Sequence, residues 1–416
     1  MDVLLENNRI SKIAASIEEA TPKIDCSNKT LLPGLIDIHT HIRDMKLSQK
    51  EDWLSASQAA AAGGITAIFD MPNTKPATFD SNSLQLKREA AKKSIVNYGY
   101  NFGVTEYNAD EIRKAAPVAS LKMFMAESSS GYVVEKEETI RKVFEVAREI
   151  DKPVIIHSEL QSCVEKHEKM FVPVLANHIH IRNRECAINA TRLLIKLARE
   201  TGTRVYLAHI STADEIVMIR EAKMDGLTNL FCETTPHYVF INEEILEKTG
   251  NYGKVNPPIR TAGDNKAIID GIIDGTVDTI GTDHAPHRLA EKDLAYPEAP
   301  SGFPGLETSL GLMMQLVHQG KISLSRLVQL MAGNPAKIFR IKNRGQLKEG
   351  YFADLTLLDP DYSWIVEPQK FFTKAKYSPF NGMSLKGKAI LTIVNGNVVW
   401  QNNKIKDIKG KEVEFA

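Results

Sequence analysis

Between residues 35 and 340 the chain keeps returning to one polarity pattern: a short apolar, β-branched run, then a longer stretch with apolar positions three or four apart. The runs fall at residues 35–39, 66–70, 95–103, 121–125, 153–157, 204–209, 230–234 and 279–283. Apolar runs of this length suit strands buried on both faces, and the longer period suits helices laid over them. In residues 184–199, for example, Ala187, Ala190, Leu193, Leu194 and Leu197 share one helical face, a stripe that core packing explains. Eight strands alternating with helices predict an α/β fold, a closed (β/α)8 TIM barrel.

The two ends of the chain read differently. Residues 3–13 and 351–400 are β-rich, with a hairpin signal at Asn395-Gly396, and such segments predict one small β-sandwich formed by both chain termini. The expected division is 1–34 for the N-terminal part of the sandwich, 35–342 for the barrel and 343–416 for the C-terminal part. Residues 288–304, with three prolines, form the expected long loop after the last barrel strand. Loops in that position build the active site of such barrels.

Basic and acidic residues balance at 52 each, so no summed field attracts nucleic acid or an anionic membrane. A small-molecule partner is the expectation. The start, MDVLLENNRI, lacks a basic segment followed by an apolar run, and no uninterrupted apolar stretch is long enough to span a bilayer, so a soluble, cytoplasmic protein is expected. Cys26, Cys163, Cys186 and Cys232 are far apart and form no CxxC pair. They are read as buried, reduced thiols, neither a disulfide framework nor a thiolate zinc site.

The strongest local signal is Asp37-Ile38-His39-Thr40-His41, closing the first barrel run. Alternate residues of a strand share a side, so His39 and His41 can grip one metal ion at the barrel mouth. Further ligand types recur at the ends of later runs: Lys122, His157, His209 and Asp283. Active sites of such barrels sit at that end of the strands, where structural histidines have no reason to gather. Taken singly, each has a plainer reading: a core histidine, a lysine in an ion pair, an aspartate capping a turn. Their matched positions favour one shared site. His237, in Thr-Thr-Pro-His-Tyr, sits at another strand end where it could line the pocket but is read as structural, as are His167, His178, His180 and His318.

As a set, these residues resemble the amidohydrolase superfamily, whose binuclear members carry a lysine carbamylated by carbon dioxide that bridges two zinc ions. The resemblance implies that His39 and His41 hold one Zn2+, His157 and His209 the other, a carbamylated Lys122 bridges both, and Asp283 completes the site. The chemistry agrees, because an ammonium has no lone pair and repels cations, whereas a carbamate offers two anionic oxygens. Asp283 is also the expected catalytic proton shuttle.

Within that superfamily the loops resemble those of dihydroorotases. Arg43 extends the histidine pair to HxHxR, and Met71-Pro72-Asn73-Thr74, Asn256-Pro257-Pro258-Ile259-Arg260 and Asp283-His284-Ala285-Pro286-His287 match that family's motifs. Alone, Arg43 passes for a solvated charge and the Asn-Pro segments for turns. The resemblance implies that Arg43, Asn73 and His287 bind a substrate carboxylate, that Asn256 contacts the ring, and that backbone groups around Ser301 and Gly302 hold it. A guanidinium fork suits a carboxylate. The implied activity is reversible hydrolysis of (S)-dihydroorotate to N-carbamoyl-L-aspartate in de novo pyrimidine (UMP) biosynthesis, by a hydroxide bridging the metals, in a homodimer.

Two other readings compete. A hydantoinase or allantoinase uses the same metals on another ring, but Arg43 and His287 favour a substrate bearing a carboxylate. An inactive relative acting as a scaffold typically loses ligands, and here the set is complete. Two features depart from the dihydroorotase pattern. After Arg43 that family continues with an acidic residue, Pro and Gly, where this chain has Asp44-Met45-Lys46-Leu47. The chain also begins almost at the second strand expected of the sandwich, so that module is either reduced or short of its natural N-terminus. Asn334-Pro335-Ala336-Lys337 and residues 350–355 match the superfamily's return into the sandwich and carry no chemistry.

Overall fold

The computed structural model describes residues 1–19, 21–115, 117–127 and 131–416. A hairpin of β1 (Asp2–Glu6) and β2 (Arg9–Ala14) leads through β3 (Thr30–Pro33) into eight parallel strands. These are β4 (Leu35–Thr40), β5 (Ile65–Asp70), β6 (Asn97–Gly103), β7 (Ser120–Phe124), β8 (Val154–His157), β9 (Val205–Leu207), β10 (Leu230–Thr234) and β11 (Thr279–Ile280). They pair in chain order. A bridge between Thr40 and His284, with the His41 amide donating to the His284 carbonyl at 2.8 Å, joins the last to the first and closes the expected barrel.

Every residue of β4 and β5 is buried, because one face of each strand lines the barrel and the other lies under helices. Asp52, Asp80, Thr212 and Thr261 each start a following helix with a reciprocal capping box. Such caps satisfy the free amides at the helix start and fix the turn that follows the strand.

The terminal segments build the expected second module. The strands β12 (Leu355–Ile365), β13 (Ser384–Val394), β14 (Asn397–Gln401) and β15 (Lys404–Ile405) form an antiparallel sheet whose far edge is β3. The β1–β2 hairpin packs on it through a core of Ile10, Ala353, Leu355, Leu357, Leu391 and Ile393. The turn between β13 and β14 has φ 49° at Asn395 and 79° at Gly396, the two positive values that a tight hairpin of this hand requires.

Asp354 fastens the two modules together. Its carboxylate accepts from the Asn395 amide at 2.7 Å and from Asn97 Nδ2 at 3.0 Å, and it pairs with buried Arg344. At the opposite end of the chain, residues 411–413 bond to Tyr98, at the start of β6. There Val413 and Phe415 pack with Phe339, Ile36, Phe69 and Tyr206.

The cysteines contradict the expectation of four reduced, buried thiols. Cys163, in the helix Gln161–Glu168, and Cys186, in the helix Arg184–Thr201, form a disulfide with Cα atoms 5.3 Å apart. Cys26 is half-buried, and Cys232 is the buried free thiol. Spacing misled here because the short helix His178–Ile181 turns the chain back, so residues 23 apart in sequence meet across two helices. Among the described residues no helix is long and apolar enough to cross a membrane.

Candidate active site

The residues singled out by their strand-end positions meet at the carboxyl rim of the barrel. His39 lies in β4, Lys122 in β7 and His157 at the end of β8; His41, His209 and Asp283 follow β4, β9 and β11. Nε2 of His41 and Nε2 of His39 both approach Asp283 Oδ1, at 2.9 and 3.3 Å. Beside them Nδ1 of His157 stands 3.1 Å from Nε2 of His209, and the rings of His39 and His209 have centroids 5.4 Å apart. His209 and Asp283 have φ of 41° and 47°, so the backbone leaves the extended conformation at both positions. Strain of that kind concentrates at functional sites.

Each of three histidines is oriented from behind. Nδ1 of His39 donates to Glu233 Oε1 at 2.7 Å, Nδ1 of His41 to Asn73 Oδ1 at 2.7 Å, and Nε2 of His157 to Glu159 Oε2 at 2.8 Å. These contacts leave the opposite nitrogen of each ring facing the cluster, the arrangement of metal-binding histidines. Burial pushes the pKa of His39 and of His209 well below that of free imidazole, which keeps the rings neutral and their lone pairs available.

Lys122 is buried among these groups and its amine has no hydrogen-bond partner. Burial lowers its pKa to about 8. Nδ1 of His209 is likewise buried without a partner. A buried, unpaired amine amid four imidazoles and a carboxylate is costly as it stands. The donor set fits a metal centre, since it offers nitrogen and oxygen ligands in two adjacent groups.

The proposed substrate contacts lie on the same rim. Arg43 and Asp283 line a cavity of about 20 Å³ together with Asn256, Ser301 and Gly302, room for about one water molecule. A guanidinium nitrogen of Arg43 lies 3.1 Å from Nε2 of His287, and that nitrogen also approaches the Ser301 carbonyl at 3.0 Å. Ser301 Oγ donates to Asn256 Oδ1 at 3.1 Å. Gly302 has φ 124°, and a Cβ there would stand 2.5 Å from the Ala285 carbonyl oxygen, so the position admits only glycine. Buried Lys254 and Lys292 hold this loop by donating to the carbonyls of Ala299, Pro300 and Gly302 at 2.7 to 3.0 Å. A larger cavity of about 740 Å³ lies elsewhere, between β3 and residues 324–347. Its walls carry no cluster of ligand-type side chains, so the chemistry belongs to the rim.

Matching over residues 30–399 extends the comparison beyond motifs, to the amidohydrolase family as a whole. A dihydroorotase of Geobacter metallireducens is 37% identical over 407 residues, which span 96% of this chain and 95% of that protein. The chain belongs to the amidohydrolase family and groups with its dihydroorotases. A dihydroorotase of Methanosphaera stadtmanae is 35% identical over 99% of this chain and 96% of its own length. Among solved structures, the L-hydantoinase (dihydropyrimidinase) of Arthrobacter aurescens superimposes with a TM-score of 0.95 at 31% identity, covering 99% of this chain and 95% of its own. The dihydropyrimidinase of Brevibacillus agri gives 0.92 at 26% identity, over 100% of this chain and 95% of that one. Cyclic amidohydrolases thus share the barrel across different ring substrates, while the Geobacter and Methanosphaera relatives are both dihydroorotases.

Three participants were invisible in the sequence. Glu233, Glu159 and Lys50 look like ordinary charged residues, and only the closed barrel sets Glu233 behind His39 and Lys50 beside His287. His237, read as structural, is buried with Nε2 unpartnered, and burial lowers its pKa to about 3.

Proposed function

We propose that this dihydroorotase-family chain catalyses the reversible hydrolysis of (S)-dihydroorotate to N-carbamoyl-L-aspartate. The observation that carries the choice of substrate is the meeting of Arg43 and His287, 3.1 Å apart on the rim beside the histidine cluster. Arg43 can only donate, and His287 donates from Nε2 in its Nε2–H form, so a carboxylate lying beside the pair can accept from both; the exocyclic carboxylate of dihydroorotate is such a group. Hydantoin and allantoin lack it.

His39, His41 and Asp283 would hold one zinc ion, His157 and His209 a second, with carbamylated Lys122 between them. When bound, such a pair lowers the pKa of a water molecule and polarises a carbonyl. The protein's own side chains do the rest. Arg43 and His287 anchor the carboxylate, while Asn256 and the backbone at Ser301 and Gly302 flank the ring. Asp283 accepts a proton from the attacking water and delivers it to the departing ring nitrogen. The ring amide bond breaks, the water oxygen ends in a new carboxylate, and the nitrogen becomes the amino group of the carbamoyl product.

The test is ring opening followed by ultraviolet absorbance on dihydroorotate, hydantoin and allantoin in parallel. Turnover of dihydroorotate is expected; turnover of either other ring with none of dihydroorotate overturns the assignment. A purified chain without zinc, inactive after zinc and bicarbonate are supplied, supports the scaffold reading.

A further inference from the structure

Lys50 approaches Nδ1 of His287 at 3.1 Å. An ammonium has donors and no lone pair, so this contact is a hydrogen bond only if Nδ1 accepts. Burial lowers the pKa of Lys50, and Glu291 Oε1, 3.0 Å from the same nitrogen, acts against that and favours the ammonium. His287 itself is neutral, because burial and then the surrounding cations Arg43, Lys50 and Lys292 hold its pKa well below that of free imidazole. A neutral ring carries one proton, and its neighbours decide where.

Without Lys50 the two tautomers would be closely matched. With the proton on Nε2, the ring accepts from Lys50 and donates to the Ser301 carbonyl at 3.0 Å, while the Arg43 guanidinium faces a second donor at 3.1 Å. With the proton on Nδ1, only the Arg43 contact is satisfied, and the Nε2 lone pair faces a carbonyl. Remove Lys50 and each tautomer keeps one good and one bad contact. Lys50 is therefore the deciding neighbour.

We infer that Lys50 is a positioning residue that holds His287 as its Nε2–H tautomer, so that the proton it gives to the Ser301 carbonyl can turn to an incoming carboxylate beside the Arg43 guanidinium. The inference rests on the reading of dihydroorotate as substrate and adds a residue to its carboxylate site. In the other tautomer the Nε2 lone pair would face the carboxylate and repel it.

The test combines a spectrum with kinetics. In protein labelled with ring-15N histidine, the two tautomers differ in nitrogen shift, and His287→Gln assigns the signal by difference. The wild type and Lys50→Arg, whose guanidinium also only donates, are expected to show Nε2–H. Lys50→Met and Lys50→Gln are expected to show a mixture, with KM for dihydroorotate raised about twofold where the mixture is even, because only the Nε2–H fraction binds, and kcat changed much less. An unchanged His287 signal or an unchanged KM in both of these variants overturns the inference, as does a lost Nε2–H in Lys50→Arg. Should the wild type leave dihydroorotate untouched, the substrate reading falls, while the nitrogen spectrum, which needs no substrate, still judges Lys50.

Discussion

Glu233 accepts the Nδ1 proton of His39 at 2.7 Å, and in consequence Nε2 of that ring points towards Asp283. The second carboxylate oxygen of Glu233 accepts from the Tyr206 hydroxyl at 3.0 Å, so the carboxylate is itself held in place. Carboxylates behind a ligating histidine fix its tautomer and raise its basicity, an effect of about ten- to a hundredfold in metal affinity. Glu233→Gln is expected to weaken zinc binding by about that range, measured by competition with a chromogenic chelator. Wild-type affinity in the variant would mean that Glu233 does not orient His39.

Arg43 offers a test of the carboxylate site. Lysine keeps the charge but loses the planar fork. Arg43→Lys is expected to raise KM for dihydroorotate by about a hundredfold, roughly 2.7 kcal/mol, with a smaller effect on kcat. Steady-state kinetics at equal zinc content decide it, and an unaltered KM would remove Arg43 from the site.

His178 sets a pH dependence of stability. It is buried, with Nε2 2.9 Å from the Val255 carbonyl and Nδ1 3.2 Å from the Tyr296 hydroxyl, and burial lowers its pKa to about 3. The unfolded chain binds a proton there below about pH 6.5 that the native state refuses, so stability falls as pH drops from about 6.5 towards 3. Between about pH 7 and pH 5, His178→Gln should lose about 2 kcal/mol less stability than the wild type. Urea midpoints at both pH values measure the difference, and parallel losses would show that His178 protonates freely in the fold.

The disulfide predicts a thiol count. Without reductant, the unfolded protein should take up alkylating reagent at Cys26 and Cys232 only, and after reduction at Cys163 and Cys186 as well. Peptide mass spectrometry reads this directly, and four modified cysteines without reductant would refute the link.

The eight barrel strands were legible because burial on both faces writes an apolar run into each. Periodicity carries no record of dihedral angle, however, and β9 and β11 end at Leu207 and Ile280, earlier than their runs suggested. Just beyond those ends the backbone turns left-handed at His209 and Asp283. Histidine is rare enough for its place at a strand end to be informative. Glutamate and lysine are common surface residues, and Glu233 and Lys50 stand 194 and 237 residues from the rings they serve. The Cys163–Cys186 link escaped for the same reason, since no pattern in the chain reports which helices lie side by side.

The tail that bonds to Tyr98 and buries Val413 and Phe415 has a bearing on biosynthesis. Residues 411–415 follow every barrel strand in the chain yet pack against the barrel core, and β3 waits for β12 as its sheet partner. A nascent chain therefore leaves this apolar surface uncovered until residues 411–415 have been made.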